Sequence, residues 1–223
     1  MSDTGVAARL DEVRERIAAA ARASGRDPSA VSLIAVSKEV DAAAVRAALA
    51  AGQRDFGENR AQELGAKAEA LGAASPAPVW HFIGQIQRNK VRAVAPAVAL
   101  WHSVDRAEVG ETIARHAPAA RVLVQVNVGD EPQKGGCEPA GAAALAEQLA
   151  GFGLAVEGLM TVPPQAADPR PYFSSLRDLA AGLGLATLSM GMSGDYEAAI
   201  AEGATLVRVG TAVFGARSPI PRS

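Results

Sequence analysis

Cysteine is nearly absent from this 223-residue chain: Cys137 stands alone. No intramolecular disulfide can form, which fits a reducing compartment. Cys137 also has no sequence-evident catalytic partner, so nucleophilic thiol chemistry is not expected. Aromatic residues make up only 4% of the chain, so its core has to be built from Ala, Val, Leu and Ile. Histidine is scarce as well. His81, His102 and His116 are the three, and no carboxylate or thiol stands at a spacing that would complete a metal motif. Neither sign of charge is in excess: 22 basic against 24 acidic residues give −2. That balance argues against nucleic acid as a partner but leaves a local anion site open. No apolar run reaches the roughly 18 residues of a membrane span. Met1-Ser2-Asp3-Thr4 leads into a charged helix and not into an apolar signal core. A cytoplasmic protein without a membrane partner is expected.

Hydrophobic residues nevertheless reach 49%, enough for a substantial core. Val6, Leu10, Val13 and Ile17 recur at helical spacing from Asp3 to Ser24, and Gly25 and Pro28 end that helix. The pattern then becomes short apolar runs alternating with helical stretches. The runs are 31–36, 55–59, 79–83, 98–102, 121–128, 154–160, 186–190 and 205–209. Helical stretches follow each of them, the first with Asp41 as N-cap and the fifth, after 121–128, from Pro139. Eight such repeats in about 190 residues predict a single (β/α)8 TIM-type barrel with an extra N-terminal helix. The alternative is an open doubly wound sheet, disfavoured by the lack of a G-x-G-x-x-G after the first strand. One domain spans 1–223, with 1–28 as N-terminal helix and linker and 29–217 as the barrel.

Chemistry in such a barrel sits at the C-terminal strand ends. Lys38 ends the first run, where desolvation would lower its pKa and leave an amine able to attack an aldehyde. A lysine snorkelling to solvent is the plainer reading. Met190-Gly191-Met192-Ser193-Gly194-Asp195 and Arg208-Val209-Gly210-Thr211 close the last two runs. Loops in those places often hold phosphate, and Ser193, Gly210 and Thr211 are candidates for it. Arg208, between two valines, needs an anion or acceptor; Glu58 and Glu202 are conceivable ion-pair partners. His81 and His102 read as acid–base groups or as hydrogen-bonded core histidines. Lys134 lies in a loop expected over the barrel mouth.

The segments Ile34-Ala35-Val36-Ser37-Lys38, Phe56-Gly57-Glu58-Asn59, His81-Phe82-Ile83-Gly84-Gln85, His102-Ser103-Val104-Asp105, Gly158-Leu159-Met160-Thr161, Met190-Gly191-Met192-Ser193 and Arg208-Val209-Gly210-Thr211 resemble, in that order, the pyridoxal phosphate homeostasis protein family. That family is similar to the N-terminal barrel domain of alanine racemase. The resemblance runs from about Ser32 to Arg217. It implies pyridoxal 5′-phosphate as cofactor, held as a Schiff base on Lys38. Asn59 would lie near the ring's phenolic oxygen and Arg208 would face the pyridine nitrogen. Ser193, Gly210 and Thr211 would hold the phosphate, with Met192 and His81 packed close by. The loop Gly129 to Cys137 is only loosely similar.

Relative to the racemase, the C-terminal β-domain with its tyrosine base is missing, which implies a monomer. Tyr172 and Tyr196 have no defensible base role. The expected function is therefore binding and delivery of pyridoxal phosphate to apoenzymes, without dedicated catalysis. An amino-acid racemase or related pyridoxal phosphate enzyme with a barrel-only site is the alternative. A phosphate-binding barrel without pyridoxal ranks third.

Overall fold

A computed structural model describes residues 3–131, 135–165 and 168–215. Lys134 and Arg217, named above, lie outside the described residues. The chain opens with α1 (Asp3–Ala23), whose Val6, Leu10, Val13 and Ile17 are all buried. Gly25 breaks it with φ +68°.

Eight strands follow: β1 (Ser32–Val36), β2 (Asp55–Glu58), β3 (Val79–Phe82), β4 (Val98–Val104), β5 (Arg121–Gln125), β6 (Ala155–Met160), β7 (Thr187–Ser189) and β8 (Leu206–Val209). They close in sequence order into a barrel. The seam is parallel, as every other pairing is, with Ser32 to Ala35 opposite Leu206 to Val209. The helices between them are α2 (Ala42–Ala50), α3 (Ala61–Ala70), α4 (Arg88–Val94), α5 (Ala107–His116), α6 (Ala142–Gly151), α7 (Arg170–Gly182) and α8 (Tyr196–Ala201), with α9 (Thr211–Phe214) after the last strand. Asp41 caps α2 as expected: its carboxylate accepts the Ala44 N–H at 2.7 Å.

This is the (β/α)8 barrel with an added N-terminal helix. Several strand and helix ends shift from the sequence expectation, β4 for one running on to Val104 instead of ending at His102. β5 ends at Gln125 rather than Val128. The Asn127 side chain bonds the backbone of Glu131 in both directions, which turns the chain into a loop. The first turn of the sixth helix is a short 3-10 segment, Pro139–Gly141. Helix α5 starts at Ala107, two residues past Asp105.

Alternation along the strands divides the core. Phe56, Trp80, Phe82 and Trp101 face the helices and join α1 in the outer layer. Leu100, Leu123 and Met160 form a separate apolar cluster. His81, His102, Ser189 and Arg208 are buried on the same parity of their strands as Leu100, inside the barrel. No helix among the described residues is long and apolar enough to cross a membrane.

Candidate functional site

A cavity of about 270 Å³ opens at the C-terminal strand ends, walled by Val36, Lys38, Ile83, Met192, Ser193, Gly194, Arg208, Gly210 and Thr211. Lys38 stands, half-buried, in the turn just past β1. That turn is anchored from behind. Ser37 is fully buried and its hydroxyl donates to Glu58 Oε1 at 2.6 Å. Lys67, from α3, donates to the Ser37 carbonyl at 2.6 Å and to the same Glu58 oxygen at 2.7 Å. Burial holds the Glu58 carboxyl above the usual carboxylate range, although Lys67 and Ser37 pull the other way. Glu39, next in the chain, takes a left-handed φ of +60° and donates its N–H to Glu63 at 2.8 Å.

The opposite wall is the loop from β7 to α8. Gly191 turns it with φ +90°, and a Cβ there would lie 2.6 Å from the Ala199 methyl. Only glycine fits so tight and left-handed a position. Asp195 accepts the Met192 N–H at 2.6 Å. The Ser193 hydroxyl accepts the Gly210 N–H at 3.3 Å, which joins this loop to the one after β8. The N–H groups of Ser193, Gly194 and Thr211 meet no acceptor among the described residues. Unspent N–H groups at a cavity wall suit an anion.

Arg208 forms the floor. It is buried, and it donates to Ser189 Oγ at 2.7 Å and to the Thr161 carbonyl at 2.8 Å. Burial lowers its pKa to about 10, which still leaves it charged at neutral pH. Neither glutamate suggested as its partner reaches it. Glu58 is taken by Lys67, and Glu202 accepts from Arg177 at 2.7 Å. Among the described residues no carboxylate is bonded to the guanidinium, which keeps N–H groups beyond the two given to Ser189 and Thr161.

Six of the eight candidate residues thus share one cavity: Lys38, Met192, Ser193, Arg208, Gly210 and Thr211. Asn59 lines a neighbouring cavity of about 440 Å³, beside Gly84 and Trp101. Its Oδ1 is buried without a hydrogen-bond partner. His81 lies deeper, inside the barrel, bonded to His102 and Asp55. Cys137 is half-buried, and burial raises its thiol pKa to about 11. No group of metal-ligating side chains occurs among the described residues.

Lys67 and Ser189 escaped the sequence reading. Lys67 carried a signal, since it falls between Leu64 and Leu71 on the buried stripe of α3. A lysine there needs a buried partner.

The family model for the alanine racemase N-terminal domain matches residues 8–218. A pyridoxal phosphate homeostasis protein of Pseudomonas aeruginosa is 49% identical, over 95% of this chain and 96% of its own length. The chain belongs to the pyridoxal phosphate homeostasis protein family. Members of that family from Aquifex aeolicus and Escherichia coli are 42% and 41% identical, over 94% and 95% of this chain and 97% of each of their own. Among solved structures, PipY of Synechococcus elongatus PCC7942 with PLP bound aligns with a TM-score of 0.82 at 38% identity. That match covers 94% of this chain and 100% of PipY. Alanine racemase of Corynebacterium glutamicum shares the fold, with a TM-score of 0.69 at 16% identity. This homeostasis-family chain covers 63% of the racemase.

Proposed function

We propose that this protein binds pyridoxal 5′-phosphate, holds it as a Schiff base on Lys38 and delivers it to apoenzymes in the cytoplasm, without running a dedicated reaction. One observation carries the reading. A single cavity gathers an amine, unspent backbone N–H groups and a buried guanidinium bonded to no carboxylate among the described residues. Those three features match an aldehyde, a phosphate and a pyridine nitrogen. The names of the close relatives, and the PLP-bound PipY structure, agree with it.

When bound, the cofactor supplies an aldehyde and an electron-withdrawing ring. Lys38 would supply the amine that condenses with that aldehyde, with loss of water. Ser193, Gly194 and Thr211 would grip the phosphate with N–H and hydroxyl groups, and Gly210, whose N–H holds the Ser193 hydroxyl, would set that hydroxyl in place. Arg208 donates to the ring nitrogen. An arginine there keeps the nitrogen unprotonated and weakens the ring as an electron sink, which favours storage over carbanion chemistry. Met192 packs over the cavity's edge. Asn59 and His81 take supporting positions, one in the adjoining cavity and one deeper inside the barrel, bonded to His102 and Asp55. Tyr172 and Tyr196 do not line the cavity, so neither supplies a base. The whole of 29–217 serves as one binding domain, and the protein acts as a monomer.

The test is the absorption spectrum of the protein with pyridoxal phosphate, before and after borohydride, with mass spectrometry of the peptide containing Lys38. A reducible band and a cofactor-sized adduct on Lys38 are expected, and both vanish in Lys38→Ala. Binding unchanged in that variant would overturn the reading. Chiral analysis after incubation with each L-amino acid separates it from a racemase: turnover well above free cofactor would favour the enzyme.

A further inference from the structure

A file of hydrogen bonds runs through the barrel's interior from one mouth to the other. Asp55 is the first residue of β2, at the N-terminal mouth, and its side chain is 37% exposed. Its Oδ1 lies 3.0 Å from His81 Nε2. His81 Nδ1 lies 2.9 Å from His102 Nε2, and His102 Nδ1 lies 2.8 Å from Ser189 Oγ. Arg208 Nη1 donates to the same Ser189 oxygen at 2.7 Å. All four residues between Asp55 and the cavity are buried.

The chemistry of the two ends fixes the direction of the file. A guanidinium only donates and a carboxylate only accepts. Ser189 therefore accepts from Arg208 and has its own hydrogen to give. With one proton on each imidazole, His81 Nε2–H donates to Asp55, and His81 Nδ1 must accept. His102 Nε2–H fills that need, and its Nδ1 accepts the Ser189 hydroxyl. Every bond then points from Arg208 toward Asp55. Burial first, then the neighbouring His81, Arg208 and Arg121, push the His102 pKa well down, so it stays uncharged, as this order requires. Aligned bonds in a low dielectric polarise one another. Arg121, bound to Glu157 at 2.5 Å, lies near enough to Asp55 to feel its charge.

We infer that Ser189, His102, His81 and Asp55 are positioning residues for Arg208. They orient its guanidinium toward the ring nitrogen, and the Asp55 carboxylate at the far mouth adds, through the file, to the counter-charge that Asp195 supplies. The inference rests on the proposed pyridoxal phosphate reading of the Lys38 cavity. It gives the two buried histidines a task at one remove from the cofactor, where proximity alone suggested direct contact for His81.

The experiment measures affinity for pyridoxal 5′-phosphate and for its 1-deaza analogue, in which CH replaces the ring nitrogen. The proteins are wild type, Asp55→Asn, Asp55→Glu and Ser189→Ala. Asp55→Asn is the decisive variant, because the residue is partly exposed and far along the file from the cavity. Wild type should prefer the natural cofactor. Asp55→Asn and Ser189→Ala should lose about tenfold of that preference, the scale of one charge-assisted hydrogen bond. Their affinity for the analogue should be unchanged, the absorption maximum of the bound cofactor should move, and Asp55→Glu should restore both. A merely structural role would weaken cofactor and analogue alike, and that result overturns the inference. So do variants that match wild type on both ligands while the Lys38 adduct forms normally. If wild type forms no Lys38 adduct, the underlying reading fails and this inference with it.

Discussion

His102 is the residue whose burial has the clearest thermodynamic cost. It is fully buried, and desolvation first, then the charges of its neighbours, hold its pKa well below 6.5. In the unfolded chain the same imidazole protonates near 6.5. Below that pH the unfolded state takes up a proton that the folded state refuses, so stability falls as the solution is acidified. The loss should approach about 1.4 kcal/mol per pH unit between 6.5 and the folded-state pKa. Urea unfolding at a series of pH values should show this slope, and His102→Gln should lack its share of it. The identities of the cavity residues were legible in the sequence because Lys38, Ser193 and Arg208 each close an apolar run. Their partners were not. Whether Arg208 meets Glu58, Glu202 or Ser189 depends on how the strands stagger around the ring, and residue spacing within one segment carries no record of that.

At the scale of elements, periodicity did most of the predicting. Apolar runs bounded by glycine, proline and capping residues gave every strand and helix. One misplaced boundary has a plain cause: a side chain captures backbone groups, as Asn127 does after β5. The cap of α2 is a case where such capture was foreseen. Asp41→Ala removes the acceptor for the Ala44 N–H and should cost about 1 kcal/mol, measured by urea denaturation. Because α2 directly follows the Lys38 turn, the same substitution should also loosen that turn. Retention of full stability would show that water replaces the cap.

The whole molecule is a closed ring with one addition. Helix α1 packs against α2, α8 and α9, and so lies across the place where the last strand meets the first. Arg9 on α1 also donates to the Val213 carbonyl in α9 at 2.8 Å. Leu10, on the same helix, is fully buried. Leu10→Ala should destabilise the entire barrel by about 2–5 kcal/mol, in one cooperative transition followed by circular dichroism. An effect confined to the N-terminal segment would mean that α1 is an accessory. The eightfold repeat was visible in the sequence, but the docking of α1 was not. Its apolar stripe said that it needed a partner, and only the closed ring says which one.

The parallel seam carries a topological consequence. Since β8 pairs with β1 in the same way as any other neighbouring strands, nothing in the hydrogen bonding of the ring marks where synthesis began. A chain whose natural ends were linked, and which was opened instead at the exposed turn around Phe152 and Gly153, would retain all eight pairings and the same mouth. Such a circular permutant would separate what the architecture requires from what is merely the order in which the ribosome delivers it.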